Sequence, residues 1–358
     1  MEDAALDDIS ALLPPLLQAL EALGFIARHL NPPDLGEVLA AVGAPDAELR
    51  AARGRLGDWG EPLAGVRARL DAAGETALKA FEALRAAPDQ DEPLRAVFRA
   101  LRHLPRAQEA LYPLSAGLPP VSRFFLPPEL RGEAGLLARL APEEPREDTG
   151  LLHVRNDPGD RGGFSLYVPE DYQPDRAWPL VMALHGGAGD GRGFLWSWLR
   201  DARALGAILV APTAIGQTWA LTGEDVDTPN LERILDFVRT HWTLDPARRL
   251  LTGMSDGGTF SYVSGLEPAS PFTHLAPCSA AFHPMLAQMA DPARIQGLPI
   301  HLTHGALDWM FPVEMAREAR QALTAAGARV TYRELDDLSH TYPREINPQV
   351  LAWLAATP

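Results

Sequence analysis

The chain of 358 residues contains little cysteine and comparatively little positive charge. Cys278 is its only cysteine, which excludes an internal disulfide and any multi-cysteine metal site. Lysine and arginine number 32 against 47 acidic residues, so the net charge is -15 and the pI about 5.1. A field of that sign repels phosphate backbones and anionic membrane surfaces. We therefore expect no nucleic-acid partner.

Signals for export and membrane insertion are also scarce. Residues 1–8 are acidic where a secretory signal would be basic. The longest uncharged apolar run near them, residues 10–20, is short for a bilayer span and is interrupted by proline. We therefore expect a soluble, unprocessed, cytoplasmic chain without a membrane span.

The first part of the chain has a helical pattern. It is rich in alanine, leucine, arginine and glutamate, and apolar residues recur at helical spacing from Leu63 to Leu84 and from Leu94 to Leu104. Breaks that contain proline occur at residues 31–33, 43–45, 88–89 and 118–120, which predicts five or six helices. The sequence thus predicts an all-α domain over residues 1–148, with residues 127–148 as a linker.

Residues 149–358 have a different pattern. Short apolar runs rich in β-formers, at residues 164–168, 179–184, 207–211 and 248–252, alternate with helical segments such as 231–242 and 313–325. This alternation predicts an α/β domain with a mostly parallel, doubly wound sheet. Such sheets bind ligands at the carboxyl ends of their strands, so catalytic residues are expected in the turns that follow the strands.

One of these turns is Gly253-Met254-Ser255-Asp256-Gly257. A chance Gly-x-Ser-x-Gly is expected in roughly one chain in ten of this composition, so its position decides its meaning. It lies between an apolar strand and a helical segment, where a serine is held in a strained conformation with its hydroxyl exposed. Ser255 is therefore the candidate nucleophile, and a glycine turn with a capping serine is the alternative.

A serine nucleophile needs a base, and the base needs an orienting group. Asp308 follows the strand at residues 298–303, and His340 follows the strand at residues 330–335. The order Ser255, Asp308, His340 is the order expected for a triad on this type of sheet. Asp308 could instead cap a helix, and His340 could be a structural histidine.

Other side chains compete for these roles. His304 is interpreted as structural, His283 is a pocket candidate, and Asp336 or Asp337 would replace Asp308 if it failed. Metal hydrolysis is the weakest alternative, because no His-x-x-x-His or comparable ligand spacing occurs. We expect neither a metal nor a cofactor.

Glycines after the strand at residues 179–184 complete the candidate site. The turn His185-Gly186-Gly187 lets backbone N–H groups face the serine. The favoured first oxyanion donor is the N–H of Gly187, and the N–H of Gly186 is the next choice. The backbone N–H of Asp256 would be the second donor. A simple tight turn is the alternative interpretation.

Together, these motifs resemble the α/β-hydrolase superfamily, and within it the bacterial phospholipase/carboxylesterase, feruloyl-esterase and polyhydroxybutyrate-depolymerase-like enzymes. The resemblance covers about residues 150–358 and implies an α/β-hydrolase fold preceded by an all-α domain. It implies that Ser255 is the nucleophile, His340 the base and then the acid, and Asp308 the orienting carboxylate. The implied reaction is hydrolysis of a small-molecule carboxylic ester through an acyl-enzyme.

Several questions stay open at this stage. A peptidase or acyltransferase would use the same triad, and a non-catalytic binding protein would keep the fold without the chemistry. Candidate pocket residues are Trp219, Trp309, Met310 and Met254. The helical half is a candidate cap, partner-binding module or homo-oligomer interface. Asp256 is unexplained, because it places a negative charge beside a developing oxyanion.

Overall fold

The computed structural model describes residues 2–141 and 146–357 of the chain. Two compact units form, Met1–Leu137 and Ala138–Pro358.

The first unit is built from helices, as the sequence predicted. The described residues 2–141 contain eight α-helices: α1 (Glu2–Arg28), α2 (Leu35–Val42), α3 (Pro45–Arg53), α4 (Glu61–Ala86), α5 (Pro93–Leu101), α6 (His103–Leu111), α7 (Pro119–Phe124) and α8 (Ala134–Arg139). The stripe from Leu63 to Leu84 lies on α4 and buries Leu70, Phe81 and Leu84. The number of helices exceeds the predicted five or six for two reasons. The apolar stripe from Leu94 to Leu104 is divided between α5 and α6 at Arg102, and α7 and α8 are short helices.

Helix α1 corrects one expectation. Pro14 and Pro15 lie inside a continuous helix of 27 residues, so proline does not interrupt this segment. Residues 4–28 are long and apolar enough to cross a membrane by length and composition alone. Core helices of soluble proteins and signal sequences near the N-terminus pass the same test. Leu12, Leu16 and Leu23 are fully buried, while the apolar stretch as a whole is 39% buried.

The predicted linker is partly ordered. Residues 128–130 form a 3-10 turn and α8 covers residues 134–139, while residues 142–145 lie outside the described residues. The first compact unit ends at Leu137 and the second begins at Ala138, while the boundary at residue 148 stays a prediction. Within the second unit, Arg139 pairs with Asp171 at 2.8 Å and donates to the Ala204 carbonyl at 3.0 Å.

Over residues 146–357, the second unit contains eight strands and eight α-helices. The strands are β1 (Gly150–Val154), β2 (Phe164–Val168), β3 (Trp178–Leu184), β4 (Ile208–Pro212), β5 (Leu244–Met254), β6 (His274–Cys278), β7 (Pro299–Gly305) and β8 (Arg329–Leu335). The helices are α9 (Gly191–Phe194), α10 (Leu199–Leu205), α11 (Asp227–His241), α12 (Asp256–Gly265), α13 (Met285–Met289), α14 (Pro292–Ile295), α15 (Val313–Ala325) and α16 (Asn347–Ala356).

The strands form one sheet in the order β1-β2-β4-β3-β5-β6-β7-β8. Strand β2 runs antiparallel to both β1 and β4, and all pairs from β4 to β8 are parallel. The central strands are buried along most of their length, because a parallel sheet is covered on both faces. The carboxyl ends of β3, β5, β6, β7 and β8 therefore lie along one edge of the sheet.

Candidate active site

Ser255 lies on a sharp turn between β5 and α12. Its backbone has φ 56° and ψ -122°, a conformation that L-residues rarely adopt. The Ser255 amide donates to the Cys278 carbonyl at 3.0 Å, and the Ser255 carbonyl accepts from Thr259 at 2.8 Å. The strained turn is thus held by β6 on one side and by the first turn of α12 on the other.

The glycines of this turn are required by close backbone approach. A Cβ on Gly253 would lie 2.5 Å from the carbonyl of Gly257. A Cβ on Gly257 would lie 2.4 Å from the carbonyl oxygens of Leu184 and His185. Because these neighbours are backbone atoms, the turn tolerates no larger residue at either position.

The structure brings Ser255, His340 and Asp308 together. His340 Nε2 lies 3.0 Å from Ser255 Oγ, and His340 Nδ1 lies 2.9 Å and 3.0 Å from the two Asp308 carboxylate oxygens. All three side chains are buried. This is the geometry in which an imidazole can remove the hydroxyl proton while a carboxylate holds its other nitrogen protonated.

Asp308 is fixed by backbone as well as by His340. Its Oδ1 accepts from the amides of Met310 at 3.0 Å and Phe311 at 2.8 Å. Burial alone would raise the pKa of Asp308, but the hydrogen bonds from His340 and the Phe311 amide hold it below its ordinary value. The carboxylate therefore stays charged beside the imidazole. Asp308 does not cap α15, because that helix begins at Val313 with Pro312 as its N-cap residue and without a side-chain cap, whereas Asp308 accepts from amides of the preceding loop.

The competing residues have other positions. His304 is buried, donates from Nε2 to the Phe311 carbonyl at 2.8 Å and lies 3.4 Å from Asp308. It therefore supports the loop that carries Asp308, in agreement with the structural interpretation. His283 is exposed, and its Nδ1 accepts from the Met285 amide at 3.2 Å. Among the described residues, no group of three or more His, Cys, Asp or Glu side chains is arranged to hold a metal ion.

His185 organises the glycine loop after β3. The Ala214 amide donates to His185 Nε2 at 3.1 Å, so Nε2 is unprotonated and the proton is on Nδ1. Nδ1 then donates to the Gly186 carbonyl at 2.6 Å. Burial lowers the pKa of His185 to about 4, which keeps the ring neutral near pH 7.

This hydrogen bond sets the direction of the next amide. In a trans peptide the C=O and the following N–H point in opposite directions, and the described residues contain no cis peptide bond. Since the Gly186 carbonyl faces His185, the Gly187 N–H faces away from that ring. Gly186 itself packs against the nucleophile, because a Cβ placed on it would lie 3.5 Å from Ser255 Cβ.

Asp256 is the first residue of α12, so its N–H is one of the amides that have no partner within the helix. Its side chain turns to Thr218, whose hydroxyl donates to Asp256 Oδ2 at 2.5 Å. The same oxygen lies against Gly187, where a Cβ would be 2.8 Å away. No local pattern in the sequence marks Thr218 as a partner of Asp256.

The candidate pocket residues differ in position. Trp219 is a core residue, a correction to its proposed place in the pocket: it is buried, stacks on Phe260 and donates from its indole N–H to the His185 carbonyl at 2.7 Å. Trp309 and Met310 are 42% and 44% exposed in the loop after β7. The Trp309 ring lies 6.1 Å from the His340 ring, edge to face. Met254 is half-buried and directly precedes Ser255.

Fold and site together define the class of protein. The second unit has the α/β-hydrolase fold, with a strand-to-helix nucleophile turn after β5 and the acid and histidine after β7 and β8. This confirms the predicted fold class.

Comparison with known proteins agrees with the predicted resemblance. The model of the Phospholipase/Carboxylesterase family matches residues 226–357, which include Ser255, Asp308 and His340. Feruloyl esterase C of Emericella nidulans is 30% identical over 160 residues, which are 42% of this chain and 56% of that protein. A probable feruloyl esterase C of Aspergillus terreus is 27% identical over 158 residues, again 42% and 56%. The chain thus spans just over half the length of these curated relatives.

Among solved structures, a ferulic acid esterase aligns with a TM-score of 0.48 and 18% identity over 57% of this chain and 96% of that one.

Proposed function

We propose that the protein is a serine carboxylesterase that hydrolyses esters through an acyl-enzyme on Ser255. The observation that carries this proposal is the continuous hydrogen-bonded path from Ser255 Oγ through His340 to Asp308, with distances of 3.0 Å and 2.9 Å. The family match and the feruloyl esterase relatives support carboxylic esters as the substrate class.

The reaction follows from the positions of these groups. Ser255 Oγ attacks the ester carbonyl as His340 Nε2 takes its proton, and the new oxyanion accepts hydrogen bonds from the N–H groups of Gly187 and Asp256. His340 returns the proton to the departing alcohol, which leaves an acyl group on Ser255. Water then attacks this acyl group with His340 as base, and the acid leaves with Ser255 restored.

The exposed rim suggests which acyl groups fit. Trp309 lies edge-on to His340 and Met310 is adjacent to it, so an apolar or aromatic acyl group would contact them next to the reacting carbonyl. The relatives are named for feruloyl esters, which carry an aromatic acyl group. We propose aromatic and apolar acyl esters as the preferred substrates.

The deciding experiment compares Ser255→Ala with the wild-type chain on p-nitrophenyl esters from acetyl to long acyl chains and on a feruloyl ester. Hydrolysis should fall to background in Ser255→Ala and persist in Ser264→Ala, a matched change of a buried serine in α12, the helix that follows Ser255. A fluorophosphonate probe should add its mass to the Ser255 peptide. Unchanged hydrolysis in Ser255→Ala contradicts the proposal.

The same assay separates related chemistries. Faster turnover of matched amides than of esters would indicate a peptidase, and preferred transfer to an added alcohol would indicate an acyltransferase. Absence of both labelling and turnover would indicate a non-catalytic binding protein.

For the helical unit we propose a homo-oligomer interface. Leu6, Phe25 and Phe98 are exposed on its helices by 60%, 44% and 37%. Light scattering of the full chain over a range of concentrations tests this proposal, and a constant monomer mass contradicts it.

A further inference from the structure

The Asp256 carboxylate lies between two parts of the candidate site. Its Oδ2 accepts the Thr218 hydroxyl proton at 2.5 Å, and it is so close to Gly187 that a Cβ there would lie 2.8 Å from the same oxygen. The residue after the nucleophile therefore contacts the residue that offers the favoured oxyanion donor. Thr218 determines where that contact is made.

Thr218 is itself held in place independently of Asp256. In the loop after β4, the Ile215 and Ala220 amides donate to the Asp227 carboxylate at 2.9 Å and 2.8 Å. The neighbouring Trp219 indole donates to the His185 carbonyl at 2.7 Å. Because these bonds fix both flanks of Thr218, its hydroxyl is a fixed donor to the carboxylate.

The glycine loop is thus restrained on two sides. His185 holds the Gly186 carbonyl at 2.6 Å, and the Asp256 side chain packs against Gly187. A peptide that is held at its carbonyl but open at the next Cα can still rotate. The Asp256 side chain occupies the space beside the Gly187 Cα. It therefore limits rotation of the Gly187 N–H, which must face the reacting carbonyl oxygen.

We infer that Thr218 and Asp256 are positioning residues for the oxyanion hole, which hold the Gly187 amide in its productive direction. The inference rests on the proposed function for its effect on rate, but the contact itself does not. It also explains how an acidic residue is accommodated here: the required properties are the shape of the side chain and its capacity to accept the Thr218 hydrogen bond. The negative charge of the Asp256 carboxylate is not required, since a second negative charge near an oxyanion destabilises it.

Four variants separate shape from charge. Thr218→Val and Asp256→Ala should each lower kcat on the order of 10-fold, with KM little changed, since a misdirected donor weakens the transition state more than the bound ester. Asp256→Asn keeps an oxygen acceptor for Thr218 and should recover most of the kcat lost in Asp256→Ala. Thr218→Ser keeps the hydroxyl and should restore most of the activity lost in Thr218→Val.

A second readout does not depend on activity. Hydrogen exchange of the peptide that contains residues 184–190 should accelerate in Thr218→Val and Asp256→Ala and stay at the wild-type rate in Asp256→Asn and Thr218→Ser. If the wild-type chain shows no Ser255-dependent turnover, the proposed esterase function fails while this exchange pattern still tests the positioning.

Two results would overturn the inference. One is wild-type exchange together with wild-type kcat in both Thr218→Val and Asp256→Ala. The other is an Asp256→Asn variant that loses as much kcat as Asp256→Ala, because the charge itself would then be what the enzyme uses.

Discussion

His185 and Gly186 are adjacent in sequence, and the His185 imidazole donates from Nδ1 to the Gly186 carbonyl at 2.6 Å. The Ala214 amide fixes the tautomer by donating to Nε2 at 3.1 Å. A neutral, fully buried histidine therefore links the loops after β3 and β4 and sets the plane of the peptide that precedes Gly187. The proposed oxyanion donor, the Gly187 N–H, is thus directed by a side chain that lies outside the proposed triad.

His185→Ala should lower kcat and the rate of fluorophosphonate labelling on the order of 10-fold, because the Gly186 carbonyl then keeps only the hydrogen bond from the Gly189 N–H at 3.1 Å. KM for a short ester should change little. His274→Ala is the matched control: His274 is also buried, but it begins β6 at the opposite edge of the sheet. Equal kcat losses in the two variants would show that loss of a buried histidine, rather than loss of loop direction, lowers the rate.

Asp308→Asn should lower kcat by about 10³- to 10⁴-fold with little change in KM, because an amide cannot hold His340 in the tautomer that accepts the Ser255 proton. Steady-state kinetics with a p-nitrophenyl ester measure the changes in kcat and KM. Asp336→Asn is the control, since Asp336 was the sequence-based substitute. A large loss in Asp336→Asn with a small loss in Asp308→Asn would reverse the assignment.

The sequence predicted the parts of this site that follow local rules. Strand β2 has the predicted bounds, 164–168, and α15 has the predicted bounds, 313–325, because apolar period and chain breaks are local properties. The positions of Ser255, Asp308 and His340 followed from the rule that turns after parallel strands meet at one edge. The sheet topology alone therefore predicts that these three residues lie close enough to form hydrogen bonds with one another.

Contacts between distant residues were not predictable in this way. Thr218 and Asp256 are separated by 38 positions, and neither lies in a motif that names the other. Trp219 was placed in the pocket because it follows a strand, yet its indole N–H is satisfied by the His185 carbonyl in the core. Side-chain direction in a loop depends on such tertiary partners, which hydrophobic period does not encode.

Trp309→Ala should raise KM for a feruloyl ester about 5-fold and leave KM for an acetyl ester nearly unchanged. The reason is that only the larger acyl group reaches the exposed ring, whose contacts are worth about 1 kcal/mol. Trp309→Phe keeps an aromatic surface and should recover most of the lost affinity. Equal KM changes for both esters would place Trp309 away from the acyl group.

The α/β unit should lose stability as the pH falls from about 6.5 to about 4. Burial lowers the pKa of His185, His274 and His301 from 6.5 to about 4 each, so in this window the unfolded chain binds protons that the folded chain does not. The free energy of unfolding therefore rises with pH across the window. Below it the histidines are protonated in both states, and they add no further slope.

Urea unfolding at pH 7, 6, 5 and 4.5, followed by tryptophan fluorescence, measures this dependence. His301→Phe, which keeps a ring against Trp353, removes one buried titrating group and should reduce the slope. His241→Gln replaces an exposed histidine in α11 and should leave the slope in place. A midpoint that stays constant from pH 7 to pH 4.5 in the wild-type chain would contradict the neutral, buried state of these three histidines, including the one that aims the Gly187 amide.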